Sequence, residues 1–124
     1  MDDQSIENEI QAKGLTAPRV TLADIEARIA SEHYFTAGSG VAGERAFANG
    51  YMSESFIPVP LQLLTFCVLV LKNGFTVTGE SACVSPENFD AEIGRKIARQ
   101  HAVDKVWMLE GYVLRERLSR AGGV

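Results

Sequence analysis

The sequence has few of the residues that build metal sites, disulfide frameworks or catalytic centres. It contains two cysteines, Cys67 and Cys83, and two isolated histidines, His33 and His101, with no Cys-x-x-Cys or His-Glu-x-x-His pattern. It also lacks Gly-x-Ser-x-Gly, and the glycines between 38 and 43 fit no phosphate-binding loop. We therefore predict a protein with no metal, no cofactor and no enzymatic activity.

Long apolar runs and targeting signals are lacking as well. The longest apolar run, Leu61 to Leu71, is interrupted by Gln62 and Thr65 and is far shorter than the roughly 20 residues that span a bilayer. The first residues are acidic and do not resemble a signal peptide. These absences predict a cytosolic protein, without membrane association, whose cysteines are reduced.

Positive charge is also in short supply, because the formal net charge is −4. Nucleic-acid binding needs many phosphate contacts from Lys and Arg, so this charge makes it an unfavoured function. The length of 124 residues predicts one domain, 1–124, with a flexible segment at 1–18 and a frayed tail at 119–124.

Helical signals come first along the chain. Residues 2–13 predict a short helix that ends near Gly14, and Thr21 with Asp24 three residues later predicts a capped second helix from Leu22 to Glu32. The segment 36–60, which glycines and prolines punctuate, is predicted to be an irregular loop.

A β-hairpin is the clearest element. Asn73-Gly74 fits a two-residue type I′ turn, which would pair Val70 with Val77 and Cys67 with Glu80. This register predicts an inward face of Leu64, Phe66, Val68, Val70, Phe75, Val77, Gly79, Ser81 and Cys83. A second face, covered by the chain's own helices or by another copy, would hold Leu63, Thr65, Cys67, Leu69, Leu71, Thr76, Thr78, Glu80 and Ala82. The cysteines would lie on opposite faces and form no disulfide.

A long helix ends the chain. Ser85 followed by Pro86 predicts its start, and apolar spacing carries it to Ser119, about 50 Å away at 1.5 Å per residue. Because a compact chain of this size is shorter than that, we expect a bend near Gly111 or packing against a second copy, and hence a homo-oligomer. The fold class is therefore α+β, a small antiparallel sheet packed against a long C-terminal helix, with one or two short N-terminal helices.

One group of residues suits a phosphate-bearing ligand. Asn88, Arg95 and Arg99 recur at helical spacing beside the start of the long helix, whose free N–H groups attract anions. Thr78 and Glu80 would join them if the second sheet face lines the site. The alternative is a solvated helix face on which these arginines pair with Glu92.

Distinctive strings lie within 29–35, 71–75, 79–84, 86–94 and 107–114, for example Leu71-Lys72-Asn73-Gly74-Phe75. Together they resemble a family of small tailed-phage and prophage proteins named after gp forty-nine and gene sixty-six, and the resemblance covers roughly residues 20–118. It implies a phage protein made in the cytoplasm of a bacterial host. The family carries no established activity and no agreed catalytic residues, so no site can be transferred from it.

Two hypotheses of function follow from these observations. The first is a non-enzymatic phage accessory protein that binds a small ligand and sequesters a nucleotide-type host immune signal. The second is a protein–protein interaction module that binds a host or phage protein through the Leu-bearing sheet face or the wide apolar part of the long helix.

Overall fold

The chain folds as a three-stranded sheet with a long helix across one face, in a computed structural model that describes residues 2–49 and 56–122. The elements, in order, are α1 (Asp3–Ala12), α2 (Leu22–Arg28), β1 (Ile29–Thr36), α3 (Ala37–Asn49), α4 (Val59–Gln62), β2 (Leu64–Leu71), β3 (Thr76–Ala82), a 3₁₀ turn (Pro86–Asn88) and α5 (Ala91–Arg120). The predicted α+β class is confirmed.

The start of α2 confirms its predicted cap. Thr21 accepts a hydrogen bond from the N–H of Asp24, and the Asp24 carboxylate accepts one from the N–H of Thr21. The helix ends at Arg28 and not at Glu32, because Ile29 already has an extended backbone (φ −84°, ψ 119°) and begins β1. The prediction therefore missed one strand.

The segment predicted as an irregular loop, 36–60, is helical over most of its described length. The Thr36 hydroxyl accepts the N–H of Ser39 at 3.0 Å where α3 begins. Gly38 then lets α3 lie close to α4, since a Cβ at this position would be 3.1 Å from Cγ of Gln62. Residues 50–55 of the predicted loop lie outside the described residues.

The hairpin exists, but its register differs from the prediction by one residue. Leu71 pairs with Phe75 through its N–H, and the N–H of Gly74 closes the turn on the Leu71 carbonyl at 2.8 Å. The loop therefore has three residues, and Gly74 takes the left-handed conformation (φ 89°) that ends such loops. Val70 pairs with Thr76 and Cys67 with Gly79.

This offset reverses the faces of β2. Its buried residues are Thr65, Cys67, Leu69 and Leu71, which face α5 together with Val77 and Gly79 of β3. The predicted inward residues Leu64, Phe66, Val68 and Val70 lie on the opposite face and are only partly buried. Both faces of β2 are rich in apolar residues, so the pattern alone did not distinguish them.

The long helix begins later than predicted. Ser85 does not cap it; instead, Pro86–Asn88 forms a separate 3₁₀ turn, and the Asp90 carboxylate accepts the N–H of Ile93 at 3.0 Å. From there α5 is a single helix through Gly111 to Arg120, about 45 Å long for its 30 residues. No helix in the described part of the chain is long and apolar enough to cross a membrane.

Close packing between α5 and β3 depends on one glycine. A Cβ at Gly79 would be 2.1 Å from the Ala98 carbonyl oxygen and 2.4 Å from the Ala102 nitrogen, so the helix backbone lies directly against the strand. Small residues on α5 make the same approach possible from the other side. The buried apolar core comprises Ile25, Cys67, Leu69, Leu71, Val77, Ala98, Ala102, Val103 and Val106.

Candidate functional site

The five predicted ligand-binding residues do not form one site. Thr78 and Glu80 alternate along β3 with the residues that face α5, so their side chains lie on the opposite face of the sheet. Arg95 and Arg99 belong to α5 on the other side. The condition that joined the two groups, a second sheet face lining the pocket, fails because α5 packs on the Val77 and Gly79 face of β3 and Thr78 and Glu80 lie on the other face.

Arg99 is committed to structural ion pairs. Its guanidinium donates to Glu26 of α2 at 2.9 Å and to Glu32 of β1 at 3.0 Å. Hydrogen bonding to Arg99 holds the pKa of Glu32 below its usual value, and the Tyr34 hydroxyl also donates to this carboxylate at 2.7 Å. Arg99 therefore joins three elements and already has two carboxylates as its anionic partners.

The other charged side chains in the first turns of α5, Glu92, Arg95 and Lys96, are exposed. Arg95 is exposed and has no ion pair within the described ranges, while Glu92 pairs with Lys96 at 3.3 Å. This arrangement favours the solvated helix face, although the cation that pairs with Glu92 is the lysine and not an arginine. Exposed pairs of this kind contribute little to stability or binding.

Asn88 does line a cavity, which we name the α5-start pocket. It has a volume of about 230 Å³ and lies between the open end of the hairpin and the first turns of α5. Its principal lining residues are Thr65, Ser81, Asn88, Phe89, Ile93 and Ile97. The lining therefore combines apolar side chains with two hydroxyls and one amide.

Thr65 places a buried hydroxyl group beside this pocket. The residue is 3% exposed, and its hydroxyl has no hydrogen-bond partner in the described part of the chain. Gly94 lies against it, since a Cβ there would be 3.0 Å from Oγ1. A buried hydroxyl without a partner costs about 1–3 kcal/mol, so a ligand that bonds to it recovers stability that the free protein lacks.

The electrostatics of the pocket disfavour an anion. The carboxylate of Asp90 already caps α5 and offsets the positive end of the helix dipole. Glu87 lies in the adjacent turn, and a hydrogen bond from Ser85 lowers its pKa, so that it is charged at neutral pH. A neutral group with donors and acceptors suits these surroundings better than a phosphate does.

The two cysteines differ in their surroundings. Both are free thiols, and burial raises the pKa of Cys67. Cys83 lines the pocket and donates a hydrogen bond to the Ser85 carbonyl at 3.1 Å. Because of the offset register, the prediction that the two cysteines occupy opposite faces is wrong, and both positions are on the α5 side.

Metal binding has no support in the described ranges either. Within 2–49 and 56–122 no three His, Cys, Asp or Glu side chains are grouped closely enough to hold an ion. His101 is used otherwise, since its Nδ1 donates to the carbonyl oxygen of Glu80 at 2.7 Å.

Most of the chain, including the sheet and nearly all of α5, matches a known phage protein family. Residues 20–118 match the model of the family described as phage protein (N4 Gp49/phage Sf6 gene 66), and the chain belongs to it. The resemblance found in the sequence is thereby confirmed. The match includes all three strands and all but the last two residues of α5, whereas α1 precedes it. No curated protein and no solved structure matches the chain.

Proposed function

We propose that this phage protein is a non-enzymatic accessory protein that binds a small ligand in the α5-start pocket. The observation that carries the proposal is Thr65, which lines this cavity and whose buried hydroxyl has no hydrogen-bond partner among the described residues. Buried polar groups in folded proteins nearly always have partners, and a bound ligand is one way to supply the missing one.

The pocket favours a planar heterocycle of the nucleoside type. Ser81 and Asn88 supply further hydrogen-bonding groups beside Thr65, while Phe89 and Ile93 provide apolar surface for a ring. The volume of about 230 Å³ is smaller than most pockets for whole drug-sized ligands, so only the base or nucleoside part would enter. The phosphates of a nucleotide would then remain outside the cavity.

Sequestration needs affinity and no reaction, which agrees with the groups present. Burial raises the pKa of Cys67, and the described residues offer no metal site. A phage protein that removes a nucleotide-type signal from its bacterial host would act by mass action, in proportion to its concentration and affinity. Membership of the phage family supports this setting for the proposal.

Replacing Thr65 with Val tests the proposal directly, because the two side chains have nearly the same shape. Thr65→Val removes an unsatisfied hydroxyl, so the free protein should become more stable by about 1 kcal/mol in urea denaturation. The same change should weaken binding of any nucleoside or cyclic nucleotide that raises the melting temperature of the wild-type protein. Gain of stability together with loss of affinity is the expected signature.

Thr76→Val is the matched control, since Thr76 is exposed on β3 on the sheet face away from α5. It should change neither stability nor binding by more than about 0.5 kcal/mol. A panel of nucleosides and nucleotides that leaves the wild-type melting temperature unchanged would contradict the proposal. Equal ligand affinity in wild type and Thr65→Val would also contradict the assignment of this pocket.

A second candidate function, protein–protein interaction, is favoured by the outer half of α5. Met108, Tyr112 and Val113 are 70%, 72% and 52% exposed. Several large apolar side chains in one short stretch indicate a binding surface. The other surface proposed for this function, the Leu-bearing face of β2, is covered by α5 and is not available.

Self-association through this stretch is the form of interaction that we propose, and sedimentation tests it. The wild-type protein should sediment as an oligomer and the Tyr112→Lys variant as a smaller species. A monomeric wild-type protein would argue against self-association. A specific host or phage protein recovered with wild type but not with Tyr112→Lys would then indicate a different partner.

A further inference from the structure

We infer a second ligand site, for an organic cation with an apolar body, in the cavity between α1 and α5. This cavity, the α1–α5 pocket, has a volume of about 320 Å³, within the range of small-molecule sites. It shares no lining residue with the α5-start pocket. The inference is therefore independent of the proposed function.

Apolar side chains and one indole make most of the wall. Ile6 and Ile10 come from α1, Val20 from the segment before α2, and Trp107 from α5. None of the residues of α1 is buried, and Ile6 is 41% exposed, so this apolar surface is incompletely covered. A ligand with an apolar body would remove it from water.

The charges of the pocket are not balanced. Arg19 holds Glu7 with two hydrogen bonds of 2.8 and 2.7 Å, so these two charges offset each other. Asp3 and Asp104 also line the cavity, but the bonds that they accept come from neutral donors. The indole N–H of Trp107 donates to Asp3 at 3.1 Å, and the side-chain amide of Gln100 donates to Asp104 at 2.9 Å.

Two carboxylates that have no cationic partner within 2–49 and 56–122, beside a tryptophan, select for a positive ligand. An ammonium group attracts both carboxylates and also binds the face of an indole ring. An anionic ligand of the same shape would be repelled, and a neutral one would gain only the apolar contacts. An arylalkyl or alkyl ammonium ion combines the required head group with an apolar body.

Intrinsic fluorescence tests this site, because Trp107 is the single tryptophan of the sequence. Titration of the full chain with phenethylammonium should change the emission of Trp107 in a saturable way. The neutral analogue 2-phenylethanol should bind about tenfold more weakly, and 3-phenylpropionate more weakly still. Equal affinity for the amine and the alcohol would overturn the inference, and so would a signal that does not saturate.

Two isosteric variants locate the cation. Asp104→Asn should weaken phenethylammonium binding about threefold to fivefold, which is the effect of losing one partly exposed carboxylate. Glu44→Gln, a matched change at an exposed position of α3, should leave binding unchanged. Circular dichroism shows whether both variants keep the fold. Equal affinity in folded Asp104→Asn and wild type would assign the signal elsewhere and overturn the site. Thr65→Val should not alter this titration, so the two pockets can fail separately.

Discussion

The two halves of α5 differ in the size and exposure of the side chains that characterise them. In the first half, Gly94, Ala98 and Ala102 are buried and allow the helix backbone to reach the sheet. In the second half, Met108 and Tyr112 are large and mostly exposed. A helix pressed against a sheet needs small residues at the contact, whereas large exposed residues do not serve its own domain. Small residues in the first half therefore bring α5 against the sheet, while Met108 and Tyr112 in the second half present a surface.

The largest effect that would test this comparison involves two glycines. Gly79→Ala forces a Cβ into the backbone of α5 and should cost about 3 kcal/mol in the free energy of unfolding, measured with urea. Gly111→Ala lies in the second half, where nothing is within 4 Å of the added Cβ. Since alanine is the better helix former, this variant should gain about 1 kcal/mol. Effects of the same sign at both positions would break the comparison.

A smaller effect is expected from truncating a buried side chain at the middle of α5 and an exposed one two residues later. Val106 is completely buried at the middle of α5, and Val106→Ala should cost about 2 kcal/mol through the cavity that it leaves. Met108→Ala, two residues later, should change the free energy of unfolding by less than about 0.5 kcal/mol. If both variants lose similar stability, Met108 is packed in solution and the second half is not an open surface.

The smallest effect concerns the attachment of α1 to the domain. The bidentate contact with Arg19 lowers the pKa of Glu7 to about 2 from an ordinary value of 4.5. Because the folded-state pKa is the lower one, the stabilisation is complete above pH 4.5 and disappears as the pH falls toward 2. An NMR titration of the Glu7 carboxyl should show a midpoint near 2, and in Arg19→Gln it should move back toward 4.5. An unchanged midpoint would show that Arg19 is not the cause.

Local signals predicted the elements that local chemistry controls. The capping box at Thr21 and the stop of α1 near Gly14 depend on a few neighbouring residues, and both are confirmed. The end of α2 was wrong because Ile29 and Ala30 fit a helical stripe as well as a strand. Only pairing with β2, as in Tyr34 opposite Cys67, decides between them.

The candidate site was harder to predict, because it depends on a single position in the turn. Asn73-Gly74 was read as the centre of a two-residue loop, whereas Gly74 is the last residue of a three-residue one. That difference moves Thr65 from the predicted outer face to the α5 side. A lone threonine in the apolar run 61–71 was a usable signal, since a polar residue in a buried strand needs a partner.

The contact between His101 and Glu80 has a consequence for the outer edge of the sheet. β3 is an edge strand, and its unpaired backbone groups could add a strand from another molecule. The imidazole of His101, from α5, donates a hydrogen bond to the Glu80 carbonyl, and the same residue carries an exposed carboxylate. An incoming strand would have to displace this ring and accept a carboxylate beside it. The contact from α5 thus hinders the addition of a strand at this position of the β3 edge.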